Sequence, residues 1–83
     1  MQLPYERPVD LGALGKRVLV TVSTYGGEPR IDMRLQFFNE RTRAWQHTKV
    51  SLVFPLAEVT TLEEIMGDVA KAYASDDFTY GSE

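Results

Sequence analysis

The chain has 83 residues, is 43% hydrophobic, and contains no Cys, one His and one Trp, with 9 Lys+Arg against 12 Asp+Glu for a net charge of −3. That length holds one small domain, of a size whose thin core favours dimerisation. The missing cysteines exclude a disulfide framework and a Cys-based zinc site, and no run approaches the roughly 20 apolar residues of a membrane span.

The N-terminus lacks the basic-then-apolar order of a secretory leader, so the expectation is a soluble intracellular protein, cytoplasmic or nucleoid-associated. The charge is unevenly divided. Residues 1–50 carry eight basic and five acidic groups, a net +3, whereas residues 51–83 carry Lys71 against seven acidic groups, a net −6. A division of this kind can place a positive face on one side of a fold, although the overall sign argues against a nucleic-acid partner.

Residues 1–15, with Pro4, Pro8 and a loose Leu11-Gly12-Ala13-Leu14-Gly15, read as an irregular lead-in. From Lys16 the chain becomes β-branched, with Val18, Val20 and Val22 on one face of a strand and Thr21 and Ser23 on the other. Tyr25-Gly26-Gly27-Glu28-Pro29 supplies hairpin turn chemistry. The next strand, Arg30 to Phe38, alternates Ile31, Met33, Leu35 and Phe37 with Asp32, Arg34 and Gln36. After the polar turn at residues 39–43, residues 44–54 form one long strand or two short ones. Trp45, His47, Lys49 and Ser51 share one parity there, and Val50, Leu52 and Phe54 the other.

After Phe54 the period changes from two to 3.6. Val59, Leu62, Met66, Val69 and Tyr73 form the apolar stripe of an amphipathic helix over residues 56–74. Thr60 to Glu63 and Thr61 to Glu64 are overlapping capping boxes, and Pro55 permits an earlier start. Residues 75–83 form an acidic tail expected to fray. The reading is one domain over residues 1–83: lead-in 1–15, antiparallel sheet 16–54, helix 56–74, tail 75–83.

Catalytic chemistry is sparse. His47 is the sole imidazole, no Gly-x-Ser-x-Gly elbow accompanies it, and neither glycine pair fits a phosphate loop. Asp76-Asp77 has no calcium-loop spacing. The expectation is a protein that is not an enzyme and uses no cofactor or metal. The strands instead interleave Lys16, Arg17, Arg30, Arg34, Arg41, Arg43 and Lys49 with Tyr25, Phe37, Phe38 and Trp45. Aromatic faces that stack on bases, beside cations that track phosphates, suit single-stranded nucleic acid. The same aromatics could equally pack under the helix, and Asp32 with Arg34 could equally form an ion pair within the sheet.

The order of Tyr25-Gly26-Gly27, Ile31-Asp32-Met33-Arg34, Phe37-Phe38, Trp45, Thr48-Lys49, Val50-Ser51-Leu52 and an acidic amphipathic helix resembles the transcriptional positive cofactor four family. The match runs from about Lys16 to Tyr73. The resemblance implies an α+β fold: a curved four-stranded antiparallel β-sheet followed by a C-terminal α-helix, homodimeric through helices and sheet edges. It further implies binding of single-stranded or unwound DNA on the concave sheet surfaces, in transcription, replication or repair. Tyr25 falls at the family's base-stacking turn aromatic and Phe37 at its second stacking aromatic. Lys16 falls at a basic strand start. Lys49 falls at the basic residue before the last strand in one of two placements, since the family's Lys-Gly-Ile-Ser-Leu pattern fits Lys49-Val50-Ser51-Leu52 without its Gly, or Ser51-Leu52-Val53-Phe54 without its Lys. The acidic total also departs from the basic members.

The expectation is therefore a homodimer that binds single-stranded DNA in preference to RNA, alongside transcription or replication proteins. Lys16, Arg17, Arg30, Arg34 and Lys49 would hold phosphates, and Tyr25, Phe37 and Trp45 would stack on bases. The competing reading is a dimeric interaction module that binds a polymerase subunit or another protein.

Overall fold

The computed structural model describes residues 1–12, 15–79 and 81, and of Tyr25 the backbone alone. Four strands, β1 (Tyr5–Asp10), β2 (Lys16–Tyr25), β3 (Glu28–Asn39) and β4 (Ala44–Pro55), form one open, curved antiparallel sheet in chain order. A 3-10 turn, Leu56–Glu58, leads into helix α1 (Val59–Ser75). The expected fold class holds. Its fourth strand, however, comes from the N-terminus and not from a division of residues 44–54.

The β2–β3 hairpin closes through Gly26 and Gly27 at φ 62° and 86°, the pair of positive angles a two-residue turn needs to match strand twist. Residues 1–15 were expected to be irregular, yet Tyr5–Asp10 pairs with Val22–Arg17. Pro8 is compatible with this because β1 is an edge strand: one side of its backbone makes no ladder bonds, so a missing N–H there leaves no gap.

The β3–β4 ladder contains a bulge. Arg34 faces Ser51 and Gln36 faces His47, so Thr48, Lys49 and Val50 oppose Leu35 alone. Thr48 holds this insertion: its hydroxyl donates to the Leu35 carbonyl at 2.9 Å and accepts from the Val50 N–H at 3.1 Å, while Arg34 donates to the Thr48 carbonyl at 2.9 Å. Three backbone groups at the bulge, the Leu35 and Thr48 carbonyls and the Val50 N–H, thereby gain side-chain partners.

Neither predicted capping box starts α1. Pro55 opens the 3-10 turn, so Thr60 and Thr61 fall inside the first helical turn and Glu58 occupies the cap position without a side-chain bond. At the other end Asp76 turns left-handed (φ 52°), and the N–H groups of Asp76 and Asp77 bond Tyr73 and Ala72 carbonyls at 3.3 and 2.9 Å.

The fold is thinly covered. Val22, 5% exposed, is the one buried apolar residue among those described, and α1 makes at most marginal contact with the strands. Met66, Val69 and Tyr73 of the predicted stripe are 60%, 52% and 80% exposed. The radius of gyration is 15.9 Å, against about 12 Å for a compact chain of this length. A single sheet and an outlying helix stripe leave apolar surface that this chain alone does not cover.

Candidate nucleic-acid interface

The register sorts the strands into two faces. One carries Val18, Val20 and Val22 of β2, Ile31, Met33 and Leu35 of β3, and Leu52 and Phe54 of β4. The other is polar and runs in cross-strand rows. Glu6, Thr21, Asp32 and Val53 form one row; Pro8, Leu19, Arg34 and Ser51 the next; Asp10, Arg17, Gln36 and His47 the third; and Phe38 with Trp45 the last.

The last two rows form a connected cluster. Arg17 lies with its guanidinium carbon 4.3 Å from the Trp45 ring centroid, and Phe38 meets Trp45 edge-on, with centroids 5.5 Å apart and planes at 70°. Both contacts follow the charge pattern of aromatic rings, whose negative faces attract cations and whose positive edges attract other faces. Arg17 Nε donates to Gln36 Oε1 at 2.7 Å, and Gln36 Nε2 stands 3.2 Å from His47 Nδ1. Arginine can only donate, so it fixes the amide with its nitrogen toward His47, and that nitrogen in turn makes Nδ1 the acceptor. Gln36 is 5% exposed, the most buried polar residue described.

Beyond this cluster the face opens into two shallow hollows of about 220 and 210 Å³ that share Ser23 and Asp32, with Arg30 beside one and Arg34 and His47 beside the other. Arg34 Nη2 stands 4.0 Å from the Asp32 carboxylate, the outer limit of an ion pair, and both side chains are 32% exposed. Three arginines thus share this face with four carboxylates, Glu6, Asp10, Glu28 and Asp32, which moderates its field.

Four of the predicted site residues, Arg17, Arg30, Arg34 and Trp45, share the polar face. Lys16 and Phe37, paired directly across β2 and β3, take the register positions of the apolar face. Lys49 is exposed in the bulge. Tyr25 ends β2 opposite Glu28, and its side chain lies outside the described residues. Sequence reasoning assigned no role to Gln36 and set His47 aside as a sheet-face residue. A mid-strand glutamine carries no signal until the register puts it between Arg17 and His47. Among the described residues, no group of three or more His, Asp or Glu side chains is placed to hold a metal ion, and no helix is long and apolar enough to cross a membrane.

Comparison with protein-family models and with curated proteins gives no match. Among solved structures, the chain is similar in fold to a bacteriophage T5 homolog of the eukaryotic transcription coactivator PC4 implicated in recombination-dependent DNA replication. The TM-score is 0.51 at 22% identity, over 86% of this chain and 81% of the other. The likeness is one of fold: an antiparallel sheet with a C-terminal helix.

Proposed function

We propose that this protein is a homodimeric, non-enzymatic, single-stranded DNA-binding protein that acts in transcription, replication or repair. The observation that carries the reading is the polar sheet face, where Arg17 stacked on Trp45 adjoins Arg34 and Arg30 on an open surface. Open aromatic and guanidinium planes take unpaired bases of any sequence, and neighbouring cations take phosphates. The fold likeness to the phage T5 protein, described as implicated in recombination-dependent DNA replication, supports the same reading. Binding lies on the polar face, with Lys49 at its bulged margin, and carries little base preference.

The dimer is supported by the uncovered apolar surface: Met66, Val69 and Tyr73 on the helix, and Val50 and Leu52 on β4. A second copy of the same stripe is a self-complementary cover. One observation favours the alternative, a dimeric module that binds a polymerase subunit or another protein: the polar face carries four carboxylates against three arginines. The experiment that decides is a fluorescence-anisotropy titration with oligo-dT at low and moderate salt. The expected result is binding that weakens with salt by a log-log slope of about −0.7 per phosphate neutralised. Absence of affinity at low salt would leave the interaction module as the better reading.

A further inference from the structure

We infer that Gln36 is a positioning residue which converts Arg17 from a phosphate-holding cation into the upper layer of a stacked platform, with Trp45 beneath it. A nucleobase then lies on the outer face of the guanidinium and not on the indole. The inference rests on the nucleic-acid reading of the polar face, but its central geometry can be tested without a ligand.

An arginine on an open sheet ordinarily samples many rotamers and carries its charge into water. Arg17 is held at two points. Trp45 holds the guanidinium carbon over its ring, 4.3 Å from the centroid, and Gln36 Oε1, 2.7 Å from Nε, fixes one edge of the group by accepting its N–H. Gln36 is fixed in its turn, because its amide nitrogen is committed to His47 Nδ1 at 3.2 Å and its 5% exposure keeps water from competing. Phe38 braces the indole from the edge. One face and one edge of the guanidinium are thus used. Its outer face and both Nη groups are left for a ligand that is flat, apolar on its face and rich in acceptors at its rim, which describes an unpaired base with its phosphate. Because Gln36 is one residue C-terminal to a three-against-one bulge, its place opposite Arg17 depends on register that the bulge leaves intact on the β2 side.

Trp45 is the only tryptophan, so its emission and its quenching by acrylamide report on this ring alone. In the free full-length protein, Gln36→Leu is expected to raise the acrylamide quenching constant to the value of Arg17→Ala, as the guanidinium leaves the ring. Gln36→Glu keeps an acceptor for Nε and is expected to stay at the wild-type value. Gln36→Met repeats the test should the leucine variant lose its sheet signal by circular dichroism. With oligo-dT, Gln36→Leu is expected to weaken binding roughly three- to tenfold, and adding it to Arg17→Ala is expected to change nothing further. Wild-type quenching in Gln36→Leu, or independent additive losses with Arg17→Ala, would overturn the inference. If no variant and no wild-type protein binds oligo-dT, the nucleic-acid reading and the base-stacking half fall together, and quenching still decides whether Gln36 places Arg17.

Discussion

The two faces of the sheet are built from the same strands and differ in how their side chains are held. On the apolar face Val18, Val20, Ile31, Met33 and Leu35 are half-buried, and Val22 alone among the described residues there is buried. On the polar face specific bonds take the place of cover: Arg17 to Gln36, Gln36 to His47, Arg34 to Thr48. Strand alternation thus does more than separate core from solvent. It divides a set of candidate cations and aromatics that looks continuous in the sequence, leaving Lys16 and Phe37 on one side and Arg17, Arg30, Arg34 and Trp45 on the other. A ligand lying across one face engages one of these sets.

The sharpest stability contrast is at Val22. Val22→Ala removes two buried methyl groups and is expected to cost about 2 kcal/mol in urea unfolding. A loss below about 0.5 kcal/mol would mean that the apolar face is not where the sheet is held together.

Charge is the next way to separate the faces. Lys49→Ala at the bulge is expected to flatten the salt dependence of oligo-dT binding by about 0.7 in log-log slope. Lys16→Ala, at an apolar-face position, is expected to leave that slope unchanged. Equal effects would dissolve the distinction.

A smaller effect is expected from the helix. Nothing lies within 4 Å of where a Cβ on Gly67 would be, so Gly67→Ala is expected to stabilise the protein by about 0.5–1 kcal/mol, seen as a raised thermal midpoint. A lowered midpoint would place Gly67 against the second copy of the chain.

Much of the fold was legible for physical reasons. Gly26-Gly27 marked its hairpin because two consecutive positive φ angles exclude most other residues, and the alternation from Ile31 to Phe37 marked β3 because a sheet with one apolar face permits no slip. β1 was hidden by Pro4 and Pro8, which punctuate loops far more often than edge strands. The bulge at Thr48–Val50 was hidden because two extra residues preserve parity: Trp45 and His47 keep the face of Ser51, so the pattern shows no break. The helix start shifted because a prolyl 3-10 turn preceded the capping boxes. For the site, residue types indicated aromatics and cations. The selection among them, and the whole role of Gln36, depends on which residue stands opposite which.

Whether the polar face receives the nucleic acid is decided by a parallel oligo-dT titration of wild-type protein, Trp45→Ala and Phe37→Ala under one salt condition. Trp45→Ala is expected to weaken binding by roughly 1–3 kcal/mol, while Phe37→Ala is expected to stay within about twofold of wild type. Loss of binding in Phe37→Ala with Trp45→Ala unaffected would contradict that placement and move the interface to the other side of the sheet.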